Sequence, residues 1–323
     1  MELPGFGSDT DKCREPSGWI SCADGCTKTP LRDSCQRVEC PHCWGDWASK
    51  AARRVSDRLR GVRSFIYHER PGDYHQVKRV RHFVFSPPHG MLKEDDGLDA
   101  AKRVWRRLER SMHLLYMGTV FYHPYRIRDD VEERLKCYMR ERGLADDPGD
   151  YQDGGYWALV RADVLGLGCR DAYIEFSPHY HVLGSGGLMP SDKFFEKTHG
   201  WVYVMLGARH MRIRINPKTG AIVDEVAITA KYILSHAGVE KSKKTGRYRN
   251  SYWQMGYTAQ GRLVRNERGT PVVRLHLTSV LVCPVCGEEL HRCHIDYAGE
   301  PVMDTNAIFC DRKYRKYEVV EDV

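Results

Sequence analysis

The chain has 323 residues, of which 41% are hydrophobic and 29% charged, and its formal net charge is +7. This balance is typical of a folded globular protein and excludes a disordered or fibrous chain. No apolar stretch approaches the roughly 18 residues of a membrane span, and the first residues show no secretory signal, so we expect a cytoplasmic protein with no membrane partner. The moderate basic excess is compatible with nucleic acid as a partner.

Three segments follow one another along the chain. Residues 1–62 form a Cys-rich head that ends in a basic helix, residues 63–258 a mixed α/β body, and residues 259–323 a strand-rich segment with a second Cys cluster. Short turns between the strands of the body favour an α+β fold with an antiparallel sheet. The two Cys-rich segments are predicted to be small zinc modules at its ends.

The head contains half of the twelve cysteines of the chain. A C-x3-C pair followed by C-x4-C-x2-C suits a structural Zn²⁺, whose four thiolates replace a core too small to fold alone. The preferred ligands are two close pairs, Cys22 with Cys26 and Cys40 with Cys43. The competing ligands are Cys35, Cys13 and His42.

Residues 44–62 are predicted to form a helix with an apolar stripe and a basic surface. Arg53 and Arg54 lie outside the apolar stripe, which makes them candidates for contact with DNA phosphates. Acidic residues are interspersed among these cations, so a solvated helix face is the alternative interpretation.

Two elements are predicted at the start of the body. Residues 81–86 (RHFVFS) indicate a strand that stops at two prolines. Residues 98–117 indicate an amphipathic helix, whose polar face includes Arg103 and Arg106. These arginines and Lys231 are candidates for holding a DNA strand.

The strand predicted at residues 173–183, with an interruption near Pro178, contains the sequence His179-Tyr180-His181. Side chains two residues apart in a strand point to the same face, so both imidazoles can hold one metal ion. Glu175 joins that face if Pro178 does not break the alternation. A pair of structural histidines is the alternative.

A helix is predicted at residues 224–237, and Tyr232 lies opposite its apolar stripe, one turn before His236. A tyrosine beside a metal site is the arrangement needed for nucleophilic attack on a phosphodiester. Phenol ionises near pH 10, so a divalent cation on the phosphate would have to assist the attack.

The tail contains the sequence C-P-V-C-G, which is typical of a zinc knuckle formed by Cys283 and Cys286. The second half of this module is less defined. Four residues compete for it: His291, Cys293, His294 and Cys310. A remnant knuckle without metal is the alternative.

Three stretches in this order resemble the HUH endonuclease superfamily, in particular the rolling-circle replication initiators of archaeal plasmids and viruses. RHFVFSPP at 81–88 resembles the first motif of the family, FSPHYHVLGSG at 176–186 its His-hydrophobic-His motif, and AKYILSHAGV at 230–239 its nucleophile helix. The Cys-rich head and tail are also similar to the layout of the archaeal initiators.

The resemblance implies a palm-like antiparallel sheet flanked by helices, with His179 and His181 on the central strand and Mg²⁺ or Mn²⁺ as the catalytic ion. Tyr232 would attack a scissile phosphate in single-stranded or hairpin DNA at a replication origin, leaving a 5′-phosphotyrosine link and a free 3′-OH. A host polymerase would extend that end, with a host helicase as a further partner. The third metal ligand varies in this superfamily, and the candidates are Glu175, His236 and then Glu225.

Two other functions remain open at the level of sequence. A single-strand transposase or a plasmid relaxase would use the same chemistry in a different biological setting. A zinc-dependent DNA-binding regulator would not be an enzyme, and it would keep its function without Tyr232.

Overall fold

The structure is a computed structural model. It describes residues 1–8, 13–22, 24–25, 28–32, 34–111, 115–143, 155–186, 189–206, 211–215, 222–259, 279–281, 290–295, 301–304 and 315–317.

Helices and strands alternate along most of the chain. The helices are α1 (Trp44–Glu69), α2 (Tyr74–Val77), α3 (Leu98–Ser111), α4 (Asp129–Glu141), α5 (Tyr156–Arg161), α6 (Ser191–Lys197) and α7 (Glu225–Leu234). The strands before α7 are β1 (Pro16–Cys22), β2 (Lys28–Arg32), β3 (Arg81–Ser86), β4 (Leu115–Ile127), β5 (Ile174–Gly186), β6 (Val202–Leu206), β7 (Ile213–Ile215) and β8 (Ile222–Asp224). Those after it are β9 (Val239–Lys241), β10 (Tyr248–Asn250), β11 (Tyr252–Gly256), β12 (Ser279–Leu281), β13 (Leu290–Ile295), β14 (Pro301–Asp304) and β15 (Arg315–Tyr317).

The central sheet has five strands in the order β11-β4-β5-β3-β6, and every neighbouring pair is antiparallel. Helices cover both of its faces, so the predicted α+β fold with an antiparallel sheet is confirmed. The longest strands, β4 and β5, are paired along most of their length, from Leu115 opposite Gly186 to Ile127 opposite Ile174. This long pairing fixes which side chains of the two strands face each other.

One face of the sheet is covered by α3 and α6. Alternate residues of the strands, among them Phe83, Phe85 and Tyr180, are buried there against Trp105 of α3. The helix predicted over residues 98–117 ends earlier, at Ser111, and β4 has begun by Leu115. The helix propensity of this stretch does not reveal the boundary. The boundary is set by strand pairing, since Met117 is paired with a neighbouring strand on each side.

The opposite face is covered by α1 and α7. Buried residues of both helices, including Val55, Leu59 and Ile233, form one cluster with Phe121 and Leu183 of the sheet. The first turn of α7 is held by Asp224, whose carboxylate accepts a hydrogen bond from the backbone N–H of Ala227 at 3.0 Å. Helix α7 therefore lies across the middle of the sheet on this face.

Two features of the described residues cross the boundaries expected between the three segments. Residue 62 lies inside α1, and Val62 is fully buried in the cluster that joins α1 to α7. In addition, β1 of the head pairs with β13 of the tail, in a sheet of order β14-β13-β1-β2. Strands from the head and from the tail thus share one sheet.

Among the described residues, no helix combines the length and the apolar character that crossing a membrane requires.

Candidate functional site

His179 and His181 lie on β5, the middle strand of the central sheet. Their side chains point to the face covered by α7, while Tyr180 between them is buried on the α3 face. The alternation of a strand thus separates the two imidazoles from the core aromatic residue. The same-face arrangement expected from the sequence is present.

A third imidazole comes from the neighbouring strand, because His123 of β4 is paired directly opposite His179. The ring centroids of His123 and His181 are 4.3 Å apart, and one ring nitrogen from each of the three histidines lies within 4.8 Å of the others. We call His123, His179 and His181 the histidine group. They offer three ligand atoms to one metal ion.

Sequence reasoning missed His123, although the residue is central to the group. His123 lies far from the His-x-His motif in the sequence, and only the register of β4 against β5 brings it opposite His179. The available signal was weak: a histidine in an otherwise apolar strand, directly before Pro124. A polar side chain inside such a strand is informative when it is buried.

Hydrogen bonds orient two of the three rings. The Nδ1–H of His179 donates to the backbone carbonyl of Ser177 at 2.7 Å, which leaves its Nε2 as an acceptor. Nδ1 of His181 is hydrogen-bonded to Nε2 of His82 at 2.7 Å. In the tautomer in which Nδ1 of His181 donates to His82, its Nε2 is an acceptor as well. Such partners on the outer nitrogen are the usual means of orienting histidine ligands of metals.

The rings of the histidine group are neutral near pH 7. Burial, reinforced by the neighbouring imidazoles, lowers the pKa of His123 and of His181 well below the ordinary value. Burial also lowers the pKa of His179, and it lowers that of His82 to about 4. Neutral imidazoles carry the lone pair that binds a metal ion.

The donor set fits a metal ion, and His123 gives the strongest reason. This side chain is 0% exposed, and neither of its ring nitrogens has a hydrogen-bond partner. A buried polar atom without a partner costs about 1–3 kcal/mol, so it is rare in a folded protein unless a ligand satisfies it. The orphaned nitrogens of His123 lie where the other two rings converge.

Glu175 does not join the histidine group, contrary to the expectation from its spacing. The register of β5 against β4 shifts between His179 and Phe176, at Pro178, so that Glu175 comes opposite Arg126. This bulge reverses the alternation of side chains along β5. Glu175 therefore lies on the other face of the sheet, where it forms an ion pair with Arg126 at 2.5 Å. Glu225 is also elsewhere, in an ion pair with Arg214 at 2.9 Å.

His236 lies beside the histidine group, just beyond the end of α7. Its ring centroid is 4.4 Å from that of His123, and the ring stacks on Trp157 at 5.0 Å. His236 is not one of the three residues whose ligand atoms converge, and its Nδ1 is 3.2 Å from the hydroxyl of Ser235. It therefore forms a wall of the site.

Tyr232 lies on α7, one turn before His236, and the centroids of these two rings are 5.0 Å apart. Tyr232 is 38% exposed, whereas His123, His181 and His236 are buried and His179 is half-buried. Partial burial, together with the carboxylate of Glu132, raises the pKa of Tyr232. The phenol is thus protonated near pH 7, and it is partly open to solvent beside His236.

A second candidate metal site is formed in the head by four cysteines, Cys13, Cys35, Cys40 and Cys43. The Sγ atom of Cys13 is 3.4 Å from that of Cys40 and 3.2 Å from that of Cys43. Although burial opposes it, hydrogen bonds from Ser34 and Cys13 lower the pKa of Cys43 to about 7. Four converging thiols, one of which ionises near neutral pH, are the ligand set of a structural Zn²⁺.

This ligand set differs from the pairs preferred from the sequence. Cys40 and Cys43 take part as expected, but Cys13 and Cys35 complete the group, and His42 is exposed. The physical reason is that the chain folds back over the C-P-H-C turn, which spacing alone does not show. Cys22 belongs to β1, where its backbone pairs with Leu290, and Cys26 lies outside the described residues.

Most of the zinc module predicted in the tail lies outside the described residues. Cys293 belongs to β13, and its backbone pairs with Trp19 of β1. His291 and His294 belong to the same strand. The other predicted ligands, Cys283, Cys286 and Cys310, lie outside the described residues.

Arg161 connects the four-cysteine group to the wall of the histidine group. Its guanidinium lies 3.9 Å from the ring centroid of Trp44, the residue directly after Cys43. The same guanidinium donates hydrogen bonds to the backbone carbonyls of Trp157 and Ser235, two of the residues that contact His236. Arg161 thus lies between the two candidate metal sites.

Replacing Cys40 and Cys43 by serine is expected to remove one bound zinc ion per chain and to lower Tm by at least about 4 °C. The reason is that metal binding contributes folding free energy, and about 1 kcal/mol corresponds to 2–4 °C in chains somewhat shorter than this one. Elemental analysis and thermal unfolding measure both effects. Cys137 and Cys169 are exposed and outside the group, so their serine variants are the matched controls. Equal zinc content in both variants would contradict the assignment.

The basic residues expected to contact DNA fall on different surfaces. Arg53 and Arg54 are exposed on α1, and Lys231 is half-buried on α7, both on the histidine side of the sheet. Arg103 and Arg106 are exposed on α3, which packs on the opposite side. The structure thus does not bring the α3 arginines to the histidine group.

In comparisons with known proteins, no family model, no curated protein and no solved structure matches this chain.

Proposed function

We propose that the protein cleaves and rejoins single-stranded DNA by attack of Tyr232 on a phosphodiester, and that it initiates rolling-circle replication in this way. The observation that carries the proposal is the position of Tyr232, a partly exposed phenol whose ring contacts His236, which in turn contacts His123 of a largely buried group of three neutral histidines. A nucleophile close to a metal site is what phosphodiester transfer requires.

The sequence motifs support the same chemistry. The three ordered stretches resemble HUH endonucleases, and this resemblance implied a histidine pair on the central strand of an antiparallel sheet. In this chain β5 is the middle strand and carries both histidines. The replication role, rather than transposition or mobilisation, rests on the resemblance to archaeal replication initiators.

His123, His179 and His181 would hold the divalent ion. Three imidazoles fit Mg²⁺ poorly, because Mg²⁺ prefers oxygen ligands, so Mn²⁺ fits better than Mg²⁺, and Zn²⁺ also accepts such a set. When bound, the ion supplies charge neutralisation and orientation of the phosphate. The hydrogen bond between His82 and Nδ1 of His181 holds the ring of His181 in its orientation.

The reaction step conserves the number of phosphodiester bonds. The oxygen of Tyr232 forms a bond to phosphorus, the bond from phosphorus to the 3′-oxygen breaks, the phenol proton is released and the 3′-oxygen takes up a proton. The products are a 5′-phosphotyrosine link and a free 3′-OH, and reversal with another 3′-OH rejoins strands. Since no water is consumed, the energy of the cleaved bond is kept in the covalent intermediate.

The test is adduct formation by the unmodified protein on labelled single-stranded DNA from the region that flanks its gene. We expect a covalent protein–DNA adduct with Mn²⁺ and none with EDTA, together with a released 3′ end that a polymerase can extend. A random strand of equal length is the control. If DNA binds tightly but no strand from the replicon gives an adduct, the proposal fails in favour of a zinc-dependent DNA-binding regulator.

A further inference from the structure

The outward face of α3 carries four exposed arginines, Arg103, Arg106, Arg107 and Arg110. At about 100° of rotation per residue, they fall within an arc of about 100°. They line, with Glu109, a shallow groove of about 430 Å³. We call these four residues the arginine face.

The carboxylates of α3 offset only part of the positive charge of the arginine face, since Asp99, whose pKa is lowered mainly by its hydrogen bond from Arg249 and less by Arg103, and Glu109 stand against four arginines. Asp99 shares the same side of α3, but its carboxylate is paired with Arg249 of β10 at 2.5 Å. In the parts of the chain that the structure describes, no ion pair joins the four arginines to a carboxylate. Four like charges within about two helical turns repel one another unless an anionic partner is bound.

The arginine face is separated from the histidine group by the central sheet. Trp105, on the inner side of α3, contacts the ring of Tyr180 at 5.2 Å. Tyr180 lies between His179 and His181 in sequence but points to the opposite side of the sheet. The DNA segment whose phosphate reaches Tyr232 therefore cannot contact the arginine face at the same time.

The side chains of this face define the kind of partner. Among the described residues, the groove is lined by guanidinium groups and Glu109, and the aromatic residue of the same helix, Trp105, is only 2% exposed. Single-stranded nucleic acid is normally held by stacking of its bases on aromatic side chains, whereas guanidinium groups alone contact phosphates. From Arg103 to Arg110 the helix rises about 10 Å, so the four charges can follow the sugar-phosphate backbone of a duplex.

We propose that the arginine face binds the phosphate backbone of double-stranded DNA, independently of base sequence, while the histidine side acts on the single strand. The inference rests on the proposed function only in taking the partner to be DNA. It adds a second contact surface, which would hold the duplex next to the cleaved strand.

The test is duplex binding by a variant in which all four arginines are replaced by glutamine. Binding of a labelled duplex of arbitrary sequence is measured by fluorescence anisotropy, with EDTA present, at several salt concentrations. We expect the association constant at 0.1 M salt to fall at least about tenfold. The slope of its logarithm against log salt should become shallower by about one for each phosphate that the variant no longer neutralises.

A matched variant separates the surface from the net charge. Replacing the exposed residues Arg128, Arg134, Arg140 and Arg142 around α4 by glutamine removes the same charge from another part of the protein. Equal losses of duplex binding in both variants would overturn the proposal. So would unchanged duplex binding in the arginine-face variant when its binding to anionic phosphatidylserine vesicles is abolished.

Cleavage of a short single strand by the same variant distinguishes this inference from the proposed function. We expect the rate of adduct formation on that strand to remain within about twofold of the unmodified protein, since the α3 arginines lie across the sheet. If the unmodified protein gives no adduct but duplex binding still depends on the arginine face, the proposed cleavage chemistry fails and the duplex surface stands.

Discussion

Replacing Tyr232 by phenylalanine is expected to reduce covalent adduct formation at least about 10³-fold. The substitution removes the only atom that the reaction needs from this side chain, whereas the ring and its contact with His236 remain. Loss of a covalent nucleophile commonly costs several orders of magnitude in rate. Binding of single-stranded DNA should change less than about threefold, because the aromatic surface is retained.

Two other tyrosines provide matched controls. The hydroxyl of Tyr248 donates a hydrogen bond to Glu2 at 2.6 Å, and the ring of Tyr252 packs against Phe121 at 5.8 Å. These contacts tie both side chains to other parts of the fold, so the phenylalanine variants should keep their activity. An adduct that persists in Tyr232→Phe, and disappears in one of the other two variants, would move the nucleophile and reject the assignment made from α7.

Replacing His123 by phenylalanine is expected to weaken binding of Mn²⁺ at least about 100-fold and to abolish adduct formation. The variant removes one of three ligands, and loss of even an outer hydrogen-bond partner of a metal ligand costs 10- to 100-fold in affinity. Mn²⁺ titration followed by electron paramagnetic resonance measures the affinity directly. It gives a result whether or not the substrate sequence is known.

The His123→Phe variant loses metal binding, but its stability without metal is not expected to fall. Both ring nitrogens of His123 are buried without partners, so in EDTA the phenylalanine variant should be at least as stable as the unmodified protein. Added Mn²⁺ should raise Tm of the unmodified protein and leave that of the variant unchanged. His89 is exposed and distant from the group in sequence, and its alanine variant is the control. Undiminished Mn²⁺ affinity in His123→Phe would exclude the histidine group as the metal site.

A phenylalanine variant of His82 provides an intermediate case in the same Mn²⁺ titration. His82 contacts Nδ1 of His181 and would not itself hold the ion. Its phenylalanine variant should therefore bind Mn²⁺ more weakly than the unmodified protein but more tightly than the His123 variant, which separates orientation of a ligand from ligation.

Local patterns in the sequence determined the elements that depend on neighbours along the chain. The alternation in RHFVFS predicted β3, the apolar stripe of residues 224–237 predicted α7, and the spacing of two placed His179 and His181 on one face. The same stripe analysis left Tyr232 outside the core, and the structure has it 38% exposed. These features were predictable because helical and strand periodicity act over a few residues.

Only the tertiary structure decided which distant residues complete each site. His123 joins the histidine pair through the register of β4 and β5, and a bulge at Pro178 turns Glu175 to the other face. Cys13 reaches Cys40 and Cys43 because the chain folds back over them, and α3 carries its arginines to the far side of the sheet. Strand register and chain folding are set by packing between elements far apart in sequence, so they cannot be deduced from the spacing of residues within one element.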